Sequence, residues 1–368
     1  MGYIAVRGGE EAITNAETLL HYYRTKGKSA PLSTDQIQEQ LPLALDRVMG
    51  EGALYAPELA AVAFKQAAGD TLEAAFLLRA HRSSVSRIGA SEIVDTERMR
   101  VTRRISAAFK NIPGGQVLGA TSDYTHHLIR FELLTNEEEA RERTAQAFET
   151  LARKGEPLPD TFPKVVGMLR AEGLLSQKKP GDARPYDITL RPLEFPAPRS
   201  ARLQILARAE TGGMLALAYA NMRGYGHVHP VIGELRVGEV PLYFKGSHGY
   251  EPDLLGWVRV TECEVVTQME KAEADSSARF TLGYGLCFGH NETKAISMAV
   301  LDRALMEEEV KSPTQDQEFV LLHTDGIEAS GFCLHYKLPH YVTFQADREQ
   351  IRTVRAEAKE EEEETVEG

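Results

Sequence analysis

Between residues 156 and 200 the chain carries EPLPDTFP, QKKPGDARP and RPLEFPAPRS. Proline has no backbone N–H and holds φ near −65°, so it stops helices and is confined to the edges of sheets. Three such runs leave room for one short helix, KVVGMLRAEGLL. They predict a connecting arm at 156–200 that is too Pro-rich for a compact core but long enough to lie across a neighbour. The chain reads differently on its two sides. An α+β protein follows, with a mainly helical domain at 1–155 and, at 201–356, a mixed domain with a small, mostly antiparallel sheet.

The helices of the first part announce their own starts. Ser33-Thr34-Asp35-Gln36 offers a capping box, and Ile37, Leu41, Leu43, Leu45 and Val48 follow as a helical stripe. Pro57 suits the first turn of PELAAVAFKQAAG. Asp70 with Glu73 caps TLEAAFLLRAHRSSVSRI, and Asn136 with Glu139 caps NEEEARERTAQAFETLARKG, which Gly155 stops. In the last part GGMLALAYANMRGYG reads as a helix and WVRVTECEVVTQM, alternating and rich in Val and Thr, as a strand. Asn291 caps ETKAISMAVLDRALMEEE. EFVLLH is expected as a short strand, IEASGFCLHYK as a helix ending before Pro339, and YVTFQ as extended chain.

Composition narrows the function classes. A length of 368 residues fits about two domains. No apolar run approaches the roughly 18 residues of a membrane span. The first residues, MGYIAVRGGE, lack the basic-then-apolar order of a signal peptide, so a cytoplasmic protein is expected. Half of the net charge of −12 sits in EAKEEEEETVEG (357–368), read as a disordered acidic tail. There is no basic surplus for nucleic acid. Cys263, Cys287 and Cys333 form no CxxC, which argues against an iron–sulfur cluster held by this chain alone and fits a reduced compartment.

Four stretches carry chemistry. In GFCLHYKLPH (331–340), His335 and His340 are five apart, a poor clamp on a continuous helix, but Pro339 ends the helix and lets the chain fold the second ring back. From spacing alone they are either half a zinc shell, with His323 or a partner chain as the next ligand, or two unrelated polar residues near a helix end. RRISAAFKNIPGGQVLGATSDYTHHLIRFELL (103–134) joins Arg103, Arg104 and Lys110 to a Pro113-Gly114-Gly115 turn and to Asp123, Tyr124, His126 and His127. Such a set suits phosphate or is a surface turn. MRGYGHVHPVIGELRVG places Arg223, Tyr225, His227 and His229 in a Gly-rich loop. In FTLGYGLCFGHNETKAISMA, Gly283, Gly285 and Gly289 lead into a helix with Lys294 in its first turn, a generic anion site.

In this order the stretches resemble one family, the I subunit of the bacterial carbon–phosphorus lyase core complex. The likeness runs from YIAVRGGEEAI through LALDRVMGEG, ELAAVAFKQAAGD, AAFLLRAHR, SARLQ, LALAYANMRGYG, HPVIGELR and TECEVV to EFVLLHTDGIEASGFCLHYKLPHYVTFQ. The resemblance implies a part in phosphonate breakdown with the G, H and L subunits: the adenine of ATP is exchanged for an alkylphosphonate such as methylphosphonate. The product is an α-D-ribose 1-phosphonate 5-triphosphate, and the subunit alone behaves as a purine nucleosidase. Cleavage of the C–P bond falls to the J subunit. The resemblance further implies that His335 and His340 ligate Zn2+ at the contact with J. Where the family pattern often has Arg after DYTH and after GYG, this chain has His127 and His227.

Displacing a base from ribose builds oxocarbenium-like charge and needs a proton for the leaving base. The triphosphate needs Mg2+ and cations. Asp123 and His126 are the candidates for base or ribose. Arg103, Arg104, Lys110, Gly114, Gly115, Tyr124, Arg223 and Lys294 are the candidates for phosphate or substrate. The competing readings are a scaffold subunit that lends zinc ligands and an interface, and a stand-alone metal-dependent hydrolase.

Overall fold

The computed structural model describes all residues except 1–8, 135–136, 153–158, 176–184, 226–228, 247–250, 269–278 and 368. By contact the chain divides into two units, Pro31–Asp325 and the terminal segments Met1–Ala30 with Gly326–Gly368. In chain order the helices are α1 (Glu10–Thr25), α2 (Thr34–Gln40), α3 (Pro42–Gly52), α4 (Pro57–Gln66), α5 (Thr71–Ser84), α6 (Glu137–Ala152) and α7 (Val165–Ala171). They continue as α8 (Arg199–Arg208), α9 (Thr211–Tyr219), α10 (Glu292–Ala304), α11 (Gln317–His323), α12 (Gly326–His335) and α13 (Tyr341–Glu367). The strands are β1 (Arg100–Ile105), β2 (Val231–Phe244), β3 (Asp253–Gln268) and β4 (Phe280–Phe288), in one antiparallel sheet ordered β1-β2-β3-β4. The expected α+β class, helical at first and then mixed around a small antiparallel sheet, is what the chain adopts.

Several starts follow the expected capping chemistry. Ser33 and Gln36 form the reciprocal capping box of α2, and the Asp70 carboxylate accepts from the N–H groups of Leu72 and Glu73 at the head of α5. The stripe from Ile37 to Val48 is cut in two, because Pro42 starts α3 afresh; Ile37, Leu45 and Val48 are buried, whereas Leu41 and Leu43 face solvent. Asn136 and Gly155, the expected cap and stop of α6, lie outside the described residues. Helices α2–α5 bury Ile37, Leu45, Val48, Met49, Ala60, Ala74 and Leu78 in one cluster.

The structure corrects five expectations. EFVLLH is helix α11, whose Asp316 N-cap accepts from Phe319 N–H; a six-residue apolar run does not by itself separate strand from buried helix. YVTFQ opens helix α13 rather than running extended, and α13 continues through Glu367, across the run expected to be disordered. Pro339 therefore separates two helices. The Pro-rich arm does not divide two cores, since β1 from the first part pairs with β2 from the last. Gly283 and Gly285 are strand residues of β4 and not part of a loop.

Those two glycines decide how the sheet is covered. On one face Leu235, Cys263, Val265 and Cys287 meet Ala295 and Ala299 of α10. A Cβ on Gly285 would overlap the carbonyl oxygen of Ala295, and one on Gly283 that of Ala299, so the α10 backbone rests directly on β4. The opposite face carries charge, and the segments 94–99 and 106–117 on either side of β1, with 159–166, close over it.

Candidate functional site

The charged face is a layer of ion pairs with almost no water contact. Arg236 stands opposite Glu262 and Glu234 opposite Glu264 across β2 and β3. The Arg236 guanidinium bonds Glu262 and donates to Thr96 O at 3.1 Å. The other oxygen of Glu262 accepts from Thr96 Oγ1 at 2.7 Å, Lys164 Nζ at 2.8 Å and Tyr284 OH at 2.9 Å. Burial would raise the Glu262 carboxyl, but Arg236 and Lys164 outweigh it and hold it at about 2. Glu264 has only Lys164, at 3.4 Å, and its Oε2 has no partner; burial pushes its carboxyl up to about 7.

Arg104, expected at phosphate, completes this layer instead. Its Nε donates to Glu234 at 2.6 Å, and its Nη atoms donate to the carbonyls of Pro113 (2.6 Å), Gly115 (3.0 Å) and Pro163 (2.7 Å). The side chain is fully buried, so no face of the guanidinium is left for an anion. The Pro113-Gly114-Gly115 turn thus offers carbonyls to an internal cation rather than N–H groups to a phosphate. Lys294 is likewise enclosed: Nζ donates to Ala209 O at 2.5 Å, and burial lowers its pKa.

A second cluster is open to solvent. Gly289, at φ 75°, turns the chain from β4 into α10, and its amide end is held by α3: Asp46 Oδ2 accepts from His290 N–H at 2.8 Å. Burial raises the Asp46 carboxyl, and the His290 N–H opposes that. His290 Nε2 lies 3.2 Å from Glu292 Oε1. The same oxygen accepts from Arg103 Nε, and Arg103 also bonds Leu118 O at 2.5 Å and the carboxylate of Asp123. Burial would raise the Glu292 carboxyl, but hydrogen bonds from His290 and Arg103 bring it below its ordinary value. Side-chain exposure rises outward: 3% for Arg103, 20% for Glu292, 29% for His290 and 50% for Asp123.

Arg103 and Asp123 are therefore brought together. Lys110, Tyr124, His126 and His127 lie exposed on the connecting segment, and Arg223 is exposed in the π-helical turn Ala220–Tyr225. His227 lies outside the described residues. Separate from these residues, a cavity of about 340 Å3 is walled by Val240, Leu242, Val258, Val260, Leu286 and Phe288. None of the expected site residues lines it.

In the unit built from the termini, His335 ends α12 and His340 precedes α13, with ring centroids 5.5 Å apart. His335 Nδ1 bonds Phe332 O, and His340 Nδ1 bonds Leu338 O at 2.6 Å. A carbonyl can only accept, so each Nδ1 carries a proton, and Nε2 is the nitrogen left to ligate a metal. Metal-binding histidines are commonly prepared in this way. The donor set fits half of a tetrahedral zinc shell. No group of three or more His, Cys, Asp or Glu suited to a metal occurs among the described residues. His323 spends its Nδ1 on Phe319 O at 2.7 Å.

A family model described as bacterial phosphonate metabolism protein (PhnI) matches residues 2–358. The chain belongs to this family. It is 51% identical over 363 residues to a protein of Stutzerimonas stutzeri named putative C-P lyase subunit protein HtxH, covering 97% of each chain. It is 46% identical to a Rhizobium meliloti (strain 1021) protein named alpha-D-ribose 1-methylphosphonate 5-triphosphate synthase subunit PhnI, over 96% of this chain and 95% of that one. A protein of the same name from Escherichia coli (strain K12) is 45% identical over 96% of this chain and 99% of its own length.

Within this PhnI-family chain, sequence reasoning overlooked His290, Glu292 and Asp46. The signal was a Gly-His-Asn-Glu step between strand and helix. Its glycines, the Asn291 cap and Lys294 drew the reading instead, and Asp46 sits 244 residues away from the amide it holds. Among the described residues no helix is long and apolar enough to cross a membrane.

Proposed function

We propose that this chain is the I-type subunit of a carbon–phosphorus lyase complex and acts in the synthase step named for its relatives. Adenine of ATP is displaced by an alkylphosphonate to give an α-D-ribose 1-phosphonate 5-triphosphate, a transferase reaction. Without the partner subunits, water takes the place of the phosphonate and the chain acts as a purine nucleosidase. The observation that carries the reading is end-to-end similarity at 45–51% identity to proteins of that complex. ATP enters with Mg2+, and G, H and L are the partners for this step in the cytoplasm.

Two features of the structure support dependence on partners. Helices α1 and α12 bury none of their side chains, and Leu19, Leu20, Tyr22, Tyr23, Phe332 and Tyr336 remain exposed. The His335–His340 pair supplies only half a shell, which favours completion by another subunit, with J as the proposed source. Zn2+ bound there would supply Lewis-acid or structural fixation at that contact. The burial of Arg104 and Lys294 favours the scaffold reading, in which partners hold the triphosphate.

The test is adenine release and ribosyl phosphonate formation from ATP and methylphosphonate by the assembled complex, with and without this chain. Release that requires this chain is expected. Product formed at the same rate without it would leave only the scaffold role. For the metal, His335→Ala and His340→Ala each should lower zinc content of the complex at least severalfold while the melting temperature of the chain stays within about 2 °C, as for exposed residues. Unchanged zinc in the double variant would remove the assignment.

A further inference from the structure

We infer that His290 is the residue that hands a proton to the departing purine, with Glu292 and Arg103 as its positioning residues; this rests on the function proposed above. Three stretches far apart in the chain meet around His290. Asp46 of LALDRV holds its backbone N–H. Glu292 of GHNETK holds Nε2, and Arg103 of RRIS, braced by Leu118 O and Asp123, holds Glu292. An ionised Glu292 has no proton to give, so its contact with Nε2 requires Nε2 to carry hydrogen. The exchangeable position is then Nδ1, for which no partner occurs among the described residues. An imidazole anchored through one nitrogen by a carboxylate, with the other open to substrate, is the arrangement of a general acid–base histidine.

Three other histidines discussed above are held differently. His323, His335 and His340 each bond a carbonyl through Nδ1. Among the described residues, His290 is the histidine with a carboxylate partner. The proposed step balances as follows. The bond between ribose C1′ and purine N9 breaks with its electron pair going to the purine. Nδ1–H of the His290 imidazolium gives its proton to a purine ring nitrogen. An oxygen of the phosphonate forms the new bond at C1′. The neutral imidazole regains a proton from solvent through its exposed edge. Arg103 and Glu292 touch no reacting atom; they set the direction and tautomer of the ring.

The assembled complex is assayed for adenine release from ATP with methylphosphonate, using the unaltered chain, His290→Gln and Glu292→Gln. His290→Gln should lower kcat by about 10²–10⁴ and leave KM for ATP within about threefold. A ribose 5-triphosphate bearing p-nitrophenolate at C1′, whose leaving group needs no proton, should restore most of the lost rate, which a merely structural role for His290 would not do. Glu292→Gln should shift the pH at which activity falls off, while His290→Gln should abolish that limb of the profile. Release by His290→Gln within threefold of the unaltered complex would overturn this role alone, as would equal impairment with both leaving groups. No adenine release by the unaltered complex would overturn the function proposed above and this role with it.

Discussion

The two faces of the four-stranded sheet are held by opposite means. Under α10 the contact is apolar and so close that Gly283 and Gly285 are the only residue types it tolerates. On the other face three carboxylates, Glu234, Glu262 and Glu264, meet Arg104, Arg236 and Lys164 with hardly any water. Apolar contact stabilises through area removed from water and degrades gradually as atoms are deleted. Buried ion pairs contribute little net energy when intact, because desolvation offsets the attraction, yet losing one partner leaves a charge stranded. The first face therefore supplies stability, and the second specifies how the segments flanking β1 (94–99 and 106–117) and the segment 159–166 close. From β1, Arg104 ties Glu234 to the carbonyls of Pro113, Gly115 and Pro163.

The largest effect is expected on the apolar face. Gly285→Val puts a branched side chain where the Ala295 carbonyl lies, and neither backbone can give way. The cost should exceed about 4 kcal/mol, read as a chain that does not accumulate folded. A well-folded Gly285→Val protein would show that α10 does not rest on β4. Next comes Arg104→Ala, which leaves the buried Glu234 only the Val165 N–H at 3.1 Å and Arg236 at 4.0 Å and frees three carbonyls; urea unfolding should show a loss of about 3–5 kcal/mol. A loss below about 1 kcal/mol would mean that water reaches this layer and that the contrast between the faces is weaker than drawn.

The smallest effect separates two neighbours on β3. Glu264, raised to about 7 by burial, keeps its proton in the folded state to higher pH than in the unfolded chain, where 4.5 is ordinary. Its contribution to stability therefore falls as pH rises from about 4.5 through 7. Glu264→Gln should remove that slope, leaving the variant more stable than the parent by on the order of 1–3 kcal/mol at pH 8 and about equal at pH 4. Glu262, held at about 2 against burial by Arg236 and Lys164, behaves oppositely: its stabilisation is complete above 4.5 and drains away as pH falls towards 2. Melting temperatures of Glu264→Gln and Glu262→Gln across pH 3–8 should diverge in these directions. Parallel curves would show that the two carboxylates titrate as one group.

Several local features were legible along the chain because their causes are local. A side chain two or three positions ahead caps α2 and α5, Pro57 opens α4, and alternation over WVRVTECEVV marks β3. The α+β class followed from these. Long-range similarity placed the chain in its family, and the turn that Pro339 permits leaves the His335 and His340 ring centroids 5.5 Å apart.

Tertiary structure alone decided what each charged residue does. Arg103 and Arg104 are adjacent in sequence and identical in kind, yet β1 turns one toward the open His290 cluster and the other into the sealed layer, since neighbouring side chains on a strand point to opposite faces. Only the pairing of β1 with β2 determines which face is open. In the same way, nothing near His290 in sequence names Asp46 or Arg103 as its company, and nothing in EFVLLH or YVTFQ says helix until neighbours bury or leave open their sides. Short apolar runs and single charges take their meaning from contacts made hundreds of residues away, and those contacts are set by packing.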